Sequence, residues 1–334
     1  LFRSIFLRSF VQMGDELEAL WEEVRELSVG SKVPKLESPP SSLRFLRDFV
    51  SPNKPCIISN AISHWPALSL WPTSSYLTDK LSDSVVSVHL TPDGRADSLV
   101  QYSSDSTVFA SAYVDRVPFN HAMDLILRKK SPVAYLQQQN DCFRKEYVAI
   151  SADCDEHIPW ASDAFGCSPE AVNLWIGNSL SNTSIHKDHY ENIYAVVSGE
   201  KHFLLLPPCD FHRLYIKNYP AASYSHEDGK LRLIIEEPLR YVPWSSVDPY
   251  PGDENREREM KKHPLYFNGP QPLECTVKAG EILYLPSLWF HDVRQSPDDH
   301  GRTIAVNYWY DMQYDIKYAY FNFLQSLKFS STLS

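Results

Sequence analysis

The 334-residue chain carries 32 Lys and Arg against 42 Asp and Glu, a formal charge of −10, with a pI near 5.6. That balance argues against general affinity for nucleic acid or an anionic membrane, both of which need a basic surface, and suits a basic partner instead. No apolar run approaches the ~20 residues of a membrane span.

Aromatic residues make up 13% of the chain, which suits a β-rich core, and 24 Pro against 11 Gly point to long ordered connections. Cys56, Cys142, Cys154, Cys167, Cys209 and Cys275 are scattered, with no C-x-x-C pair. They fit reduced thiols in a cytoplasmic setting, with the nucleus as the other compartment of that kind.

Residues 1–12 hold two arginines and no acid, the composition of a mitochondrial presequence, but we read them as an N-terminal extension (1–13) ahead of a start at Met13. Leu17, Leu20, Trp21, Val24 and Leu27 recur at helical spacing and predict an amphipathic helix over 15–27. After a Pro-rich stretch, Ser41-Ser42 is positioned to cap a short helix through Phe49.

Short strands are expected at 55–59, 85–90, 132–138 and 171–176, with a helix over 120–128 and an exposed acidic connection over 153–163. Residues 192–197 and 201–206 read as two halves of a hairpin joined through Ser198-Gly199-Glu200. The span 210–272 shows no clear period and reads as a long ordered insertion whose charge run, 253–262, forms a solvated face.

Strands resume at 273–278, 282–285, 289–293 and 303–308. A final helix over 311–327 carries Tyr314, Tyr318, Phe321 and Leu324 as an aromatic stripe, packed on its own domain or serving as a dimer seam. Many short strands between turns predict a mainly β fold, a sandwich or barrel-like double sheet with flanking helices.

The chemistry converges on Thr183-Ser184-Ile185-His186-Lys187-Asp188. In an extended context His186 and Asp188, two apart, point to one face. With His291 about a hundred residues later they supply two imidazoles and a carboxylate, the donor set of non-haem Fe(II) oxygenases. Such chemistry needs a buried cation for a dicarboxylate co-substrate. Lys201, on the same face of its strand as Phe203 and Leu205, is costly inside a core unless an anion meets it. His189 and His202 are discounted, Cys209 reads as structural, and the sequon Asn182-Thr183-Ser184, in a reduced compartment and beside a metal ligand, is expected to stay unglycosylated.

These residues resemble the JmjC-domain Fe(II)- and 2-oxoglutarate-dependent oxygenases over roughly 41–327. The resemblance rests on Pro55-Cys56-Ile57-Ile58, His64-Trp65-Pro66-Ala67, Tyr135-Leu136-Gln137-Gln138, His186-Lys187-Asp188, Ser198-Gly199-Glu200-Lys201, Leu285-Pro286 with Trp289-Phe290-His291, and Val306-Asn307-Tyr308-Trp309-Tyr310. It implies a double-stranded β-helix (jelly roll, cupin-like), in which an N-terminal helical and β region, 14–130, packs on a catalytic domain, 131–327.

The resemblance also implies that His186, Asp188 and His291 hold Fe(II). It implies that Lys201, Tyr135, Thr183, Asn192 and Asn307 surround 2-oxoglutarate, and that Gln137 and Trp309 lie on the substrate side or pocket wall. The spacing of Asn307 from the distal histidine departs by one residue from the asparaginyl-hydroxylase relatives.

The implied reaction consumes O2 and 2-oxoglutarate, releases succinate and CO2, and oxidises a substrate C–H bond. The matching segments HKDHYEN, VSGEKHF, LWFH and VNYWYDM are most similar to a small group whose animal members modify a lysine in a translation-associated GTPase. Its plant members are described as histone lysine demethylases.

The compact chain, without appended reader modules, favours lysyl hydroxylation in a GTPase segment, with demethylation of a histone tail as the alternative. A catalytically silent binding protein on the same fold is disfavoured, because all three ligands and Lys201 are present. The resemblance further implies a homodimer through the C-terminal helix.

Overall fold

The structure is a computed structural model and describes residues 19–73 and 75–327; the expectations for residues 1–18 lie outside the described residues. Two sheets face one another. Eleven strands build them: β1 Lys35–Leu36, β2 Cys56–Ile58, β3 Arg95–Ala96, β4 Ala171–Gly177, β5 Asn182–His186, β6 Tyr190–Ser198, β7 Glu200–Leu206, β8 Leu273–Lys278, β9 Ile282–Leu285, β10 Phe290–Ser296 and β11 Thr303–Asp311. The six-stranded sheet runs β1-β2-β9-β6-β11-β4 and the five-stranded sheet β8-β7-β10-β5-β3.

From β4 to β11 each consecutive strand except β7 to β8 crosses to the opposite sheet, the connectivity of a jelly roll. This corrects the hairpin expectation for 192–206. β6 pairs with β9 and β11, while β7 pairs with β8 and β10. The corner is Gly199 at φ +71°, where a Cβ would lie 2.7 Å from the Ser296 carbonyl oxygen. Glycine permits both the left-handed backbone and the close approach.

Alternation along the strands sorts side chains into three apolar layers. Tyr194 and Val196 of β6 meet Phe203 and Leu205 of β7 between the sheets. Ile193, Ala195 and Val197 face outward beneath Phe45, Trp71 and Phe119 from the N-terminal region. Leu204 and Leu206 face a third cluster that holds Leu214, Phe290 and Phe321. Both faces of these strands are covered, so they read as continuous apolar runs rather than as an alternation.

The helix predicted for 120–128 is Phe119–Leu127, and Ser41 caps its short helix by accepting from the Arg44 backbone N–H at 3.3 Å. The first described helix continues through 19–24 into a π-helical turn, Arg25–Val29. Residues 153–163 are not an exposed connection. Asp153 is buried and accepts from Trp71 Nε1 at 2.8 Å and Tyr76 Oη at 2.9 Å, and Pro159–Phe165 is a helix. The Asp153 carboxylate is spent on these internal hydrogen bonds, which composition does not reveal.

The insertion resolves into a hairpin, Lys217–Glu227 with Lys230–Ile235, a strand Tyr241–Trp244, and helices Asp253–Lys262 and Pro264–Phe267. The charge run occupies the first of those helices and is solvated apart from Glu259 and intermediate Asn255. Buried Arg213 closes the base of the insertion, donating to Asp210 at 2.7 Å and to the carbonyls of Leu265, Tyr266 and Pro270. No described helix is long and apolar enough to cross a membrane.

Candidate metal centre

β5 and β10 lie side by side with His186 opposite His291, so their rings meet at 4.2 Å between centroids. Between the pairs Thr183↔Val293 and His186↔His291 the register slips, three residues on one strand against two on the other. This bulge is what lets Thr183 and His186, three apart, face the same cavity. Asp188 lies beyond the end of β5, so its direction comes from the loop and not from strand alternation. The loop is held by Leu288 N–H donating to the Asp188 carbonyl at 3.0 Å.

Asp188 Oδ2 stands 3.7 Å from Nε2 of each imidazole, and one donor atom from each of the three residues lies within 4.8 Å of the others. Each ring is oriented by its second nitrogen: His186 Nδ1 meets the Ser184 carbonyl at 2.9 Å and His291 Nδ1 the Trp289 carbonyl at 3.0 Å. A carbonyl accepts only, so Nδ1 carries the proton and Nε2 presents its lone pair inward.

Burial raises the Asp188 carboxyl, but His186, His291 and Lys187 outweigh it and hold the group down at about 2. Burial and the neighbouring His186 depress His291 to about 4, keeping it neutral. Burial lowers the His186 imidazole, but Asp188 outweighs it and raises the group, and a metal would take the place of that proton; two imidazoles and one carboxylate whose donor atoms converge fit a divalent transition metal such as Fe(II).

Behind the triad lies the cation. Lys201 is 1% exposed, and its ammonium donates to the Tyr135 hydroxyl at 2.9 Å. Tyr135 in turn hydrogen-bonds Thr183. Burial alone depresses Lys201 to about 7, and no carboxylate neutralises it among the described residues.

On the facing sheet Asn307 donates through Nδ2 to Asn192 Oδ1 at 3.1 Å and accepts at Oδ1 from Trp175 Nε1 at 2.8 Å. Tyr135, Thr183, His186, Asp188, Asn192, His291, Asn307 and Trp309 line one cavity. Trp309 stacks on Tyr190 at 4.8 Å, and its buried indole N–H has no partner among the described residues.

Gln137 does not line this cavity. It is buried and its amide meets His89 at 3.3 Å, whereas Gln139 reaches the wall. Trp175, Tyr194, Phe203 and Val293 complete the lining. The alternation that turned Lys201 inward also marked Phe203; Trp175 and Tyr194 stand in strands buried on both faces, where inside and outside look alike, and Val293 in a strand whose polar residues are largely buried as well. His202 points away, between the Thr276 and Ser296 hydroxyls.

A jelly roll with this triad between its sheets defines a class, and comparison with known proteins agrees with it. The family model described as "Cupin-like domain" matches residues 42–316. The chain is 62% identical to Lysine-specific demethylase JMJ32 of Arabidopsis thaliana over 325 residues, covering 96% of this chain and 93% of that protein. It is 44% identical to the human Bifunctional peptidase and (3S)-lysyl hydroxylase JMJD7 over 321 residues, covering 95% and 96%. It is 35% identical to JmjC domain-containing protein E of Dictyostelium discoideum over 338 residues, covering 95% and 94%. The chain belongs to the cupin-like JmjC family, whose members are generally Fe(II)- and 2-oxoglutarate-dependent oxygenases.

Proposed function

We propose that the protein is an Fe(II)- and 2-oxoglutarate-dependent dioxygenase that hydroxylates a lysyl side chain in a protein substrate. The observation that carries this reading is the 2.9 Å contact of buried Lys201, which no carboxylate neutralises among the described residues, with Tyr135, a residue that lines the cavity of the three convergent donors. His186, Asp188 and His291 hold the metal. When bound, Fe(II) supplies the coupling of O2 reduction to oxidative decarboxylation of 2-oxoglutarate.

The chain's own residues do the rest. Lys201 receives the distal carboxylate of 2-oxoglutarate, with the Tyr135 and Thr183 hydroxyls as further donors. Asn192 and Asn307, locked together, form the opposite wall, and the free Trp309 N–H offers one more donor. Trp175, Tyr194, Phe203 and Val293 keep water from the reacting atoms. Gln137 acts from behind the wall, through His89.

The similarity to the human lysyl hydroxylase supports hydroxylation. The 62% identity to a plant protein named as a demethylase supports the removal of a lysine methyl group as the second reading. The two differ in which carbon faces the metal. A basic segment of a GTPase or a histone tail suits the charge of −10 equally.

The described part of the C-terminal helix exposes Ile316, Tyr320 and Phe323 along one face, which supports a homodimer built on it. The six cysteines are all free, which supports a reducing compartment, cytoplasm or nucleus. Residues 14–130 and 131–327 act as one folding unit in this reading.

The test is conversion of 2-oxoglutarate to succinate in the presence of Fe(II) and lysine-containing peptides, followed by mass spectrometry of the peptides. Gain of one oxygen supports hydroxylation and loss of methyl groups supports demethylation. No turnover with any peptide overturns the enzyme reading.

A further inference from the structure

The 210–272 insertion reaches the metal centre through Trp244. In its strand Tyr241–Trp244 the side chains alternate, Tyr241 and Pro243 exposed, Val242 and Trp244 half-buried. The backbone is held on both sides of the residue: Trp244 pairs with Lys217 in the neighbouring strand, and Ser245 donates through Oγ to the Leu214 carbonyl at 2.8 Å. The indole therefore arrives at a fixed place. It packs on Phe109 at 4.7 Å between centroids and lies parallel to the His186 imidazole, 8° between planes and 6.1 Å between centroids.

What the indole touches is the residue that orients the ligand. Trp244 Nε1 donates to Ser184 Oγ at 3.2 Å, Ser184 Oγ donates in turn to the Asp97 carbonyl at 2.6 Å, and the Ser184 carbonyl accepts the Nδ1 proton of His186 at 2.9 Å. An indole N–H only donates and a carbonyl only accepts, so the serine hydroxyl takes one bond and gives the other.

Ser184 needs these ties because the sheet does not supply them. It stands inside the bulge of β5, where the register with β10 slips between Thr183 and His186, and the paired register with β3 ends at Thr183. A bulged residue loses its place in the ladder, and the direction of its carbonyl is then set by what else holds it. Trp289, whose carbonyl orients His291, is anchored by its own indole, which donates to the Asn53 carbonyl at 2.9 Å. For His186 the anchoring indole comes from the insertion.

We propose that Trp244 is a positioning residue for the metal ligand His186, acting through the hydroxyl of Ser184. This deepens the metal-centre reading and rests on it. With the indole in place, the Ser184 carbonyl keeps the His186 Nε2 lone pair aimed at the point where the Asp188 and His291 donors converge. Without it the Ser184 hydroxyl keeps only its bond to Asp97, and the His186 ring loosens while Asp188 and His291 stay in place.

The experiment uses the full chain with Mn(II) or Co(II) alone. Electron paramagnetic resonance of free Mn(II) gives its Kd. In Co(II)-loaded protein the Nδ1 protons of the two ligand imidazoles give separate, strongly shifted proton resonances. Trp244→Phe keeps an aromatic ring against Phe109 and removes the N–H. It is expected to raise the Mn(II) Kd about tenfold, the lower end of the effect of groups that orient a metal ligand. It should also move one of the two Co(II)-shifted resonances and leave the other in place. Ser184→Ala is expected to do at least as much, and the double variant to add nothing to it, because both changes break one chain of contacts.

A melting curve checks the fold of each variant. An unchanged Kd with both resonances unmoved in folded Trp244→Phe overturns the role of Trp244 while leaving the metal reading intact. Displacement of both resonances together assigns Trp244 a merely structural role and overturns it as well, as does a full additional loss in the double variant. Should Trp244→Phe not fold, Ser184→Ala decides by the same two readings. If wild type takes up neither ion, the metal reading itself fails, and the proposal with it.

Discussion

Lys201 Nζ lies 2.9 Å from the Tyr135 hydroxyl inside the double sheet, a cation held by a neutral donor–acceptor group and two aromatic faces, Tyr135 and Tyr194, but by no anion among the described residues. Its folded pKa of about 7 lies below the ordinary 10.5 because of burial. The unfolded chain therefore binds the extra proton between pH 7 and 10.5. Lys201 thus opposes folding below pH 7, and stability rises through that window as the cost is relieved.

A bound dicarboxylate reverses the preference by stabilising the ammonium. Binding of 2-oxoglutarate above pH 7 should therefore take up close to one proton at Lys201 and weaken up to tenfold per pH unit. Calorimetry at pH 8 in two buffers of different ionisation enthalpy measures the uptake, and Lys201→Met should abolish it. That substitution should also weaken binding by about 2–3 kcal/mol, the cost of a lost charged contact.

Metal binding should be visible in stability without turnover. At a metal concentration a hundredfold above Kd, the folded state gains about 2.7 kcal/mol, enough to raise Tm by several degrees. Asp188→Ala removes the only carboxylate of the triad and should erase both the Mn(II)-dependent rise in Tm and succinate formation. A metal-dependent rise that survives in this variant would show that the metal sits elsewhere.

Arg213 and Asp210 are both completely buried, and Asp210 also accepts from Arg25 at 2.9 Å. Arg213→Met strands part of that charge and leaves three carbonyls without a donor. We expect a loss of about 3–5 kcal/mol in urea unfolding, concentrated on the attachment of the 210–272 insertion. A loss below 1 kcal/mol would mean that the cluster relaxes without it.

The exposed face of the C-terminal helix, Ile316 at 79% and Phe323 at 58%, should be covered in a dimer. Ile316→Asp with Phe323→Asp is expected to halve the mass measured by light scattering, as is truncation at Asp311. A truncated protein that folds and still dimerises refutes this seam.

Phe45, Trp71 and Phe119 share one apolar cluster with Ile193 and Tyr284 of the double sheet, and Phe45 packs edge-on to Tyr284 at 4.8 Å between centroids. A single unfolding transition by circular dichroism and by tryptophan fluorescence is therefore expected. Two separated transitions would divide the chain.

Much of this was legible from residue types alone. His186, Asp188 and His291 carry the chemistry of a metal site in their donor atoms, and Lys201, flanked at two-residue spacing by Phe203 and Leu205, declared itself as an inward cation. Period and propensity also placed most strands within a residue or two, because those signals are local.

Three things were decided only by tertiary structure. Gly199 sends β6 and β7 into opposite sheets, which no spacing distinguishes from a hairpin, because turn residues serve both. The bulge in β5 brings Thr183 into line with His186, against simple alternation. Asp153, in a segment whose composition reads as exposed, is buried and saturated by Trp71 and Tyr76. The reason is common to all three: donor chemistry belongs to the residue, but which partner it meets is set by contacts between segments far apart in the chain.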